Sequence, residues 1–301
     1  MKKICAVFLA AMFLFTCGCS SSSSKKKKKS TSTSTVIFAS EDTVPNLSKI
    51  ELNIKGTIVA RDGANLCKEP SMFSKEIDVL DDKTEIKIIS AVDRYQIELS
   101  EDGTWLYVSA GGKKGYVNSK YVNIVLTEAR DAFSDEQWYV LGIILFRQHW
   151  ADSCNLRHPR SIDIDFDREQ ISRTDKEGNS KYFYHICKPE NLTMEQLSTE
   201  YYNEFSKQYF DGTFENYYAA ENQKIYGYQE LGDEMWIERL VVKAFTTATE
   251  TELFYTVREQ YVFDMQERLG EYKDYVYSLF YEDGRWKCGR LGDEAETSNE
   301  K

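Results

Sequence analysis

Along residues 50–126, apolar and polar positions alternate in short runs separated by turn residues. KGTIVAR, ANLCKE, KEIDVL, TEIKIIS, the stretch around YQIEL, TWLYVS and KKGYVNS carry the alternation. Asp81-Asp82-Lys83, Glu101-Asp102-Gly103 and Gly111-Gly112 interrupt it. A period of two places one face of each strand in a core and the other toward water. Many short strands at regular spacing predict a small all-β barrel.

After residue 128 the period changes. Ser134 and Gln137 have the spacing of a capping box, and Trp138, Leu141, Ile144, Leu145 and Gln148 then follow the helical repeat. Ile162, Ile164 and Phe166 alternate, TDKEGNS turns, and Tyr182, Tyr184 and Ile186 alternate back, which predicts a hairpin. Thr193 and Gln196 form a second capping box. Leu197, Tyr201, Phe205 and Tyr209 recur at every fourth position, predicting one helix with a bulky apolar face. QKIYGYQEL, MWIERLVVKAFTTAT, TELFYTVREQYVFD and EYKDYVYSLFYEDGRWKCGRL read as strands, the last folding back at Asp283-Gly284. Helices first and long antiparallel strands last predict an α+β roll over residues 128–292, with helices packed on a curved antiparallel sheet.

The two ends follow neither period. Lys2 and Lys3 precede an apolar run over residues 4–15, and the small Gly18 stands before Cys19. Those residues would rise about 18 Å as a helix, too little for a bilayer core of roughly 30 Å. Residues 1–18 therefore read as a cleaved signal peptide. Residues 19–49, with five serines, five lysines and an alternating Ser/Thr run, have little to bury and read as a disordered tether. Residues 293–301 read as an acidic tail.

At 301 residues, 42% apolar and 14% aromatic, the chain can fill two cores. Its formal charge is −11, and setting aside the seven lysines of residues 1–29, which include no acid, leaves −18 for residues 30–301. So acidic a body argues against nucleic acid as a partner, because phosphates need a basic face. The sequence has no Walker glycine loop, no zinc-ribbon cysteine spacing and no HExxH.

The end of the apolar run resembles a bacterial lipoprotein signal, in which a Leu-x-small-Cys motif is cut before the cysteine and the thiol takes the lipid. Cys19 has Gly18 before it but Thr16 at the leucine position, and Cys17 has Leu14 there but Phe15-Thr16 between. The resemblance implies lipidation at Cys19 and display on the extracellular face of the cell membrane, with the lysines near anionic lipid. An ordinary cleaved signal is the alternative.

ANLCKEPS is similar to the LNVRSGPS stretch of bacterial SH3 domains, TWLYVS to their WYKV strand, and KKGYVNSKYV to their closing GYVSSKYL. Members bind cell-wall peptides or act as spacers. The resemblance implies peptidoglycan or wall peptide as a partner, with Tyr95, Trp105, Tyr107, Tyr116 and Tyr121 lining an aromatic groove; Trp105 and Tyr116 read also as barrel core. Cys67 and Lys68 replace the usual Val-Arg, and Glu69 the glycine before Pro70. Cys67 is expected to point into the barrel. From residue 128 the order of elements resembles the cystatin-like rolls of nuclear transport factor 2-like domains. LTMEQLSTEYYNEFSKQYF, an Asn-Gln-Lys-Ile-Tyr strand and YEDGRWKCG are similar to the bacterial D,L-endopeptidase inhibitor family, which implies a wall hydrolase as partner.

Catalysis would need a nucleophile with a base, paired carboxylates in a cleft, or a metal. Cys154 with His158 and His185 with Cys187 make a C-x3-H and H-x-C set that suits zinc or a Cys-His nucleophile by residue type. H-x-C is not a common zinc spacing, and a loop pair beside a strand pair is the plainer account. Asp163, Asp165 and Asp167 alternate with Ile162, Ile164 and Phe166 and read as the solvated side of a half-buried strand. Setting aside Cys5, Cys17 and Cys19, the cysteines Cys67, Cys154, Cys187 and Cys288 allow three pairings. They read mostly as lone buried thiols, with Cys154–Cys187 a bridge that export would permit. No catalytic residue, metal or cofactor is assigned. The expected protein is a non-catalytic lipoprotein that meets the cell wall through its SH3 domain and a protein through its roll. A ligand-binding or weakly catalytic nuclear transport factor 2-like domain and a structural envelope lipoprotein are the alternatives.

Overall fold

The computed structural model describes residues 35–37, 47–60, 62–93, 103–150, 163–174, 178, 180–188, 190–228, 236–247, 249–262 and 269–294. The signal peptide, Cys19, Tyr95, the YQIEL strand, Cys154, His158 and the end of the acidic tail lie outside these residues. In chain order the first elements are β1 (Thr35–Ile37), β2 (Ile54–Ile58), β3 (Ala64–Cys67), β4 (Glu76–Leu80), β5 (Glu85–Asp93), β6 (Thr104–Ala110), β7 (Lys113–Asn118) and β8 (Val122–Asn123). Strands β2 to β8 form one antiparallel sheet in the order β4-β3-β7-β6-β5-β2-β8. Its inward positions, among them Ile58, Leu66, Ile88, Leu106, Val108 and Val117, are buried, as the alternation predicts.

The rest of the chain contributes α1 (Asp135–Trp150), β9 (Asp163–Thr174), β10 (Ser180–Lys188), α2 (Met194–Glu204), the single turns α3 (Lys207–Phe210) and α4 (Phe214–Tyr217), β11 (Tyr218–Glu221), β12 (Lys224–Tyr228), β13 (Trp236–Thr247), β14 (Glu252–Val262), β15 (Leu269–Glu282) and β16 (Arg285–Glu294). This half is mostly β. Its described strands fall into two sheets, β1-β13-β14-β15-β16 and β11-β12-β10-β9. The predicted reversal at Asp283-Gly284 has positive φ at both residues, 53° and 77°, as a two-residue hairpin turn requires. Both capping boxes form: Ser134 and Thr193 each exchange hydrogen bonds with the glutamine three residues on.

Helix α1 is apolar all round because it is covered on both sides. Trp138, Tyr139, Val140, Leu141, Ile143, Ile144, Leu145 and Phe146 are all buried. Toward the barrel, Arg147 donates to Asp93 of β5 at 3.2 Å and Gln148 to the carbonyl of Val122 at 2.7 Å. Toward the five-stranded sheet, Tyr139 donates to the carbonyl of Val242 and Tyr255 to that of Trp138. Trp286 closes the same junction, its backbone N–H on Leu126 and its indole on Glu128. Barrel and C-terminal half thus share one hydrophobic core and fall within one compact unit spanning residues 33–301.

Two local expectations are corrected. Thr35–Ile37, inside the expected tether, pair with β13, Val36 opposite Phe245, and Leu47 near its end is buried. The edge of β13 supplies a partner that local composition does not announce. The single helix expected through Tyr209 breaks at Phe205, which is extended at φ −110° and ψ 133°. Ser206 N–H instead donates to Cys288 O, the Ser206 hydroxyl caps α3, and Glu282 accepts from the Lys207 N–H at 3.0 Å.

Candidate binding cavity on the barrel

Strands β6 and β7 set the geometry. Leu106, Val108 and Ala110 turn into the core, so Trp105, Tyr107 and Ser109 point to the other face. Across the pair Trp105 stands opposite Asn118 and Tyr107 opposite Tyr116, while Cys67 of β3 stands opposite Tyr116. These side chains therefore share the outer face of the sheet. A Cβ on Gly115 would lie 2.7 Å from the Cys67 carbonyl oxygen, so glycine is what lets β3 approach β7 this closely.

Two loops border the face. Between β3 and β4, Lys68 N–H donates to Lys75 O, Glu69 N–H to the Ser74 hydroxyl and Phe73 N–H to the Ser71 hydroxyl. This brace sets Met72 at the cavity and leaves Phe73 94% exposed. After β7, Asn118 Oδ1 accepts from the Lys120 N–H at 3.0 Å and fixes the turn that carries Lys120 and Tyr121. Gly63, Asn65, Cys67, Met72, Trp105, Asn118, Lys120 and Tyr121 line a cavity of about 200 Å³.

Its chemistry is that of a donor site. Trp105 is 3% exposed, yet its indole N–H has no acceptor among the described residues; leaving such a donor unpaired costs about 1–3 kcal/mol. The Lys120 ammonium stands 4.8 Å from the centre of the Tyr121 ring. Among the described residues no carboxylate lines the cavity. Burial, with a smaller contribution from Glu76, pushes the Cys67 thiol up, which makes it a weak nucleophile near neutral pH.

Trp105 and Tyr121 of the expected groove line this cavity, while Tyr107 and Tyr116 pack on each other beside it, ring centres 5.0 Å apart. Trp105 and Cys67 are both buried, 3% and 4% exposed, but they stand outside the main hydrophobic cluster and line the cavity. In β3 Ala64 and Leu66 take the core positions, so alternation turns Cys67 to the face that carries the cavity, while the extra residue of the β3–β4 pair, Ile77, lies on β4. Asn65, Met72, Asn118 and Lys120 were not foreseen. Their signal was positional: Asn118 is the cross-strand partner of Trp105, a pairing that only the register reveals.

Elsewhere, His185 lies 5.8 Å from the Tyr226 ring, and Cys288 is buried. Among the described residues no group of three or more His, Cys, Asp or Glu side chains is placed to hold a metal. A second cavity of about 90 Å³ lies at the junction, between Gln148, His149, Glu200, Glu204, Arg285 and Trp286 among others. No curated protein matches the chain. Residues 62–123, which include every described residue lining the barrel cavity, match the model of the bacterial SH3 domain.

Proposed function

We propose that the protein is a non-catalytic surface protein that holds cell-wall peptide in the barrel cavity and offers its C-terminal half to a protein partner. The observation that carries the first part is the donor-lined cavity inside the segment that matches the bacterial SH3 domain. In this reading a lipid on Cys19 keeps the molecule at the outer face of the cell membrane, and the tether sets its reach to the wall.

The C-terminal half supports a protein partner rather than a small ligand. Its interior is filled by aromatic side chains, Phe146, Phe245, Tyr255 and Tyr277 among them. The junction cavity, about 90 Å³, is far below the roughly 300–1,000 Å³ of small-molecule sites. If that half has the roll of the D,L-endopeptidase inhibitors, the partner is a wall hydrolase whose cleft it occludes. The test is cosedimentation of the full chain with purified cell walls, and wall digestion by an endopeptidase with and without it. Binding and slowed digestion are expected; a chain that stays in the supernatant would sink the wall-binding reading.

A further inference from the structure

We infer that the barrel cavity takes the free carboxylate end of a short peptide built of small residues. This rests on the wall-peptide reading and names the part of the ligand that is held. Three observations carry it. Trp105 brings a buried N–H that lacks an acceptor among the described residues, and a ligand oxygen would supply one. Lys120 brings a cation that stands over Tyr121 with no carboxylate recorded against it among the described residues, in a chain whose formal charge is −11. The space is about 200 Å³, below the usual range for a whole ligand and fitting for a chain end.

The geometry also orders the ligand. A carboxylate that accepts from the Trp105 indole N–H and the Lys120 ammonium gains two charge-assisted hydrogen bonds, the second of them from a cation. Asn65 lines the same cavity, an amide available to the preceding peptide group. Met72 forms an apolar shelf in the lining, where the residue before the terminus would rest. Among the described residues Glu76 is the carboxylate whose charge reaches Cys67, and it sits on the edge strand β4 rather than among the lining residues. A peptide is favoured over inorganic phosphate because one ammonium and one indole are a weak match for a dianion, and the shelf is apolar.

The experiment uses the full chain and acetyl-Ala-Ala, in D,D and L,L forms, with a free carboxylate or a carboxamide end, and inorganic phosphate as a third probe. Binding is followed by calorimetry and by the indole N–H resonance of Trp105, assigned with W105F. Expected are binding of at least one acid form, a downfield move of that resonance, and a loss of about tenfold or more in affinity on amidation and in K120Q. Lys120 is exposed, so K120Q keeps the test independent of any folding defect in W105F. Equal binding of acid and amide, an unchanged affinity in K120Q, or phosphate binding as tightly as the peptide acid would overturn the inference. Cosedimentation with cell walls separates the two ideas: wall binding without carboxylate dependence ends this inference alone, and carboxylate binding without wall binding ends only the wall reading.

Discussion

Gly142 shows how one position can be decided by what lies opposite it. In a helix interior alanine is favoured over glycine by about 1 kcal/mol, yet a Cβ here would stand 2.0 Å from the Tyr255 ring. That ring is fully buried, and its hydroxyl is tied to the Trp138 carbonyl at 2.9 Å, so it has no room to yield. Overpacking of this kind costs about 1–3 kcal/mol and outweighs propensity. Gly142→Ala should therefore lower the urea midpoint, whereas a gain in stability would show that α1 can shift away from the sheet. Cys67 teaches the same lesson in reverse: a small apolar residue in a strand reads as core, and alternation with Ala64 and Leu66 buries it against the cavity instead.

At the scale of elements, the break between α2 and α3 is held by one carboxylate. Glu282 accepts from the Lys207 N–H and pairs with Lys287, which is itself buried. Burial pushes the Glu282 carboxyl up, but the Lys207 N–H and Lys287 more than offset this and hold it below its ordinary value of 4.5. A carboxylate depressed in the folded state adds stability above its unfolded pKa and loses it as pH falls through the folded value. Glu282→Gln should thus destabilise at pH 7, and its difference from the parent in chemical denaturation should shrink as the pH drops below 4.5. A difference that does not change with pH would mean that the charge does not hold the hinge. The break was hidden from the sequence because Leu197, Tyr201, Phe205 and Tyr209 keep the helical spacing across it. Glu282 lies far along the chain from Ser206 and Lys207.

For the molecule as a whole, the consequence of α1 lying between barrel and sheet is that neither half is complete alone. Asp93 and Arg147 are 0% and 2% exposed and pair across the junction, with Thr104 donating to the same carboxylate. Removing one member of such a pair leaves a buried charge and costs about 3–5 kcal/mol. Asp93→Asn and Arg147→Met should each cause a large loss, with the double variant losing less than their sum. Calorimetry of the parent should give a single transition with equal calorimetric and van't Hoff enthalpies. Two separate transitions would show that barrel and C-terminal half fold independently.

Much of this architecture was legible in local pattern. Alternation marked the barrel strands, both capping boxes formed where their spacing put them, and Asp283-Gly284 turned the last hairpin, because these features depend on neighbours within a few residues. Trp105 and Tyr121 could be singled out for the same reason, as aromatic residues in a recognisable strand order. Contacts between distant segments could not be read this way. The pairing of Trp105 with Asn118, the turning of Cys67 toward the cavity, the capture of Thr35–Ile37 by β13 and the burial of every side of α1 all depend on which surfaces meet. A helix that is apolar all round announces that it will be covered; only the tertiary structure decides that a barrel and a sheet do the covering, because burial of apolar area is non-directional and accepts whichever surface the topology brings to it.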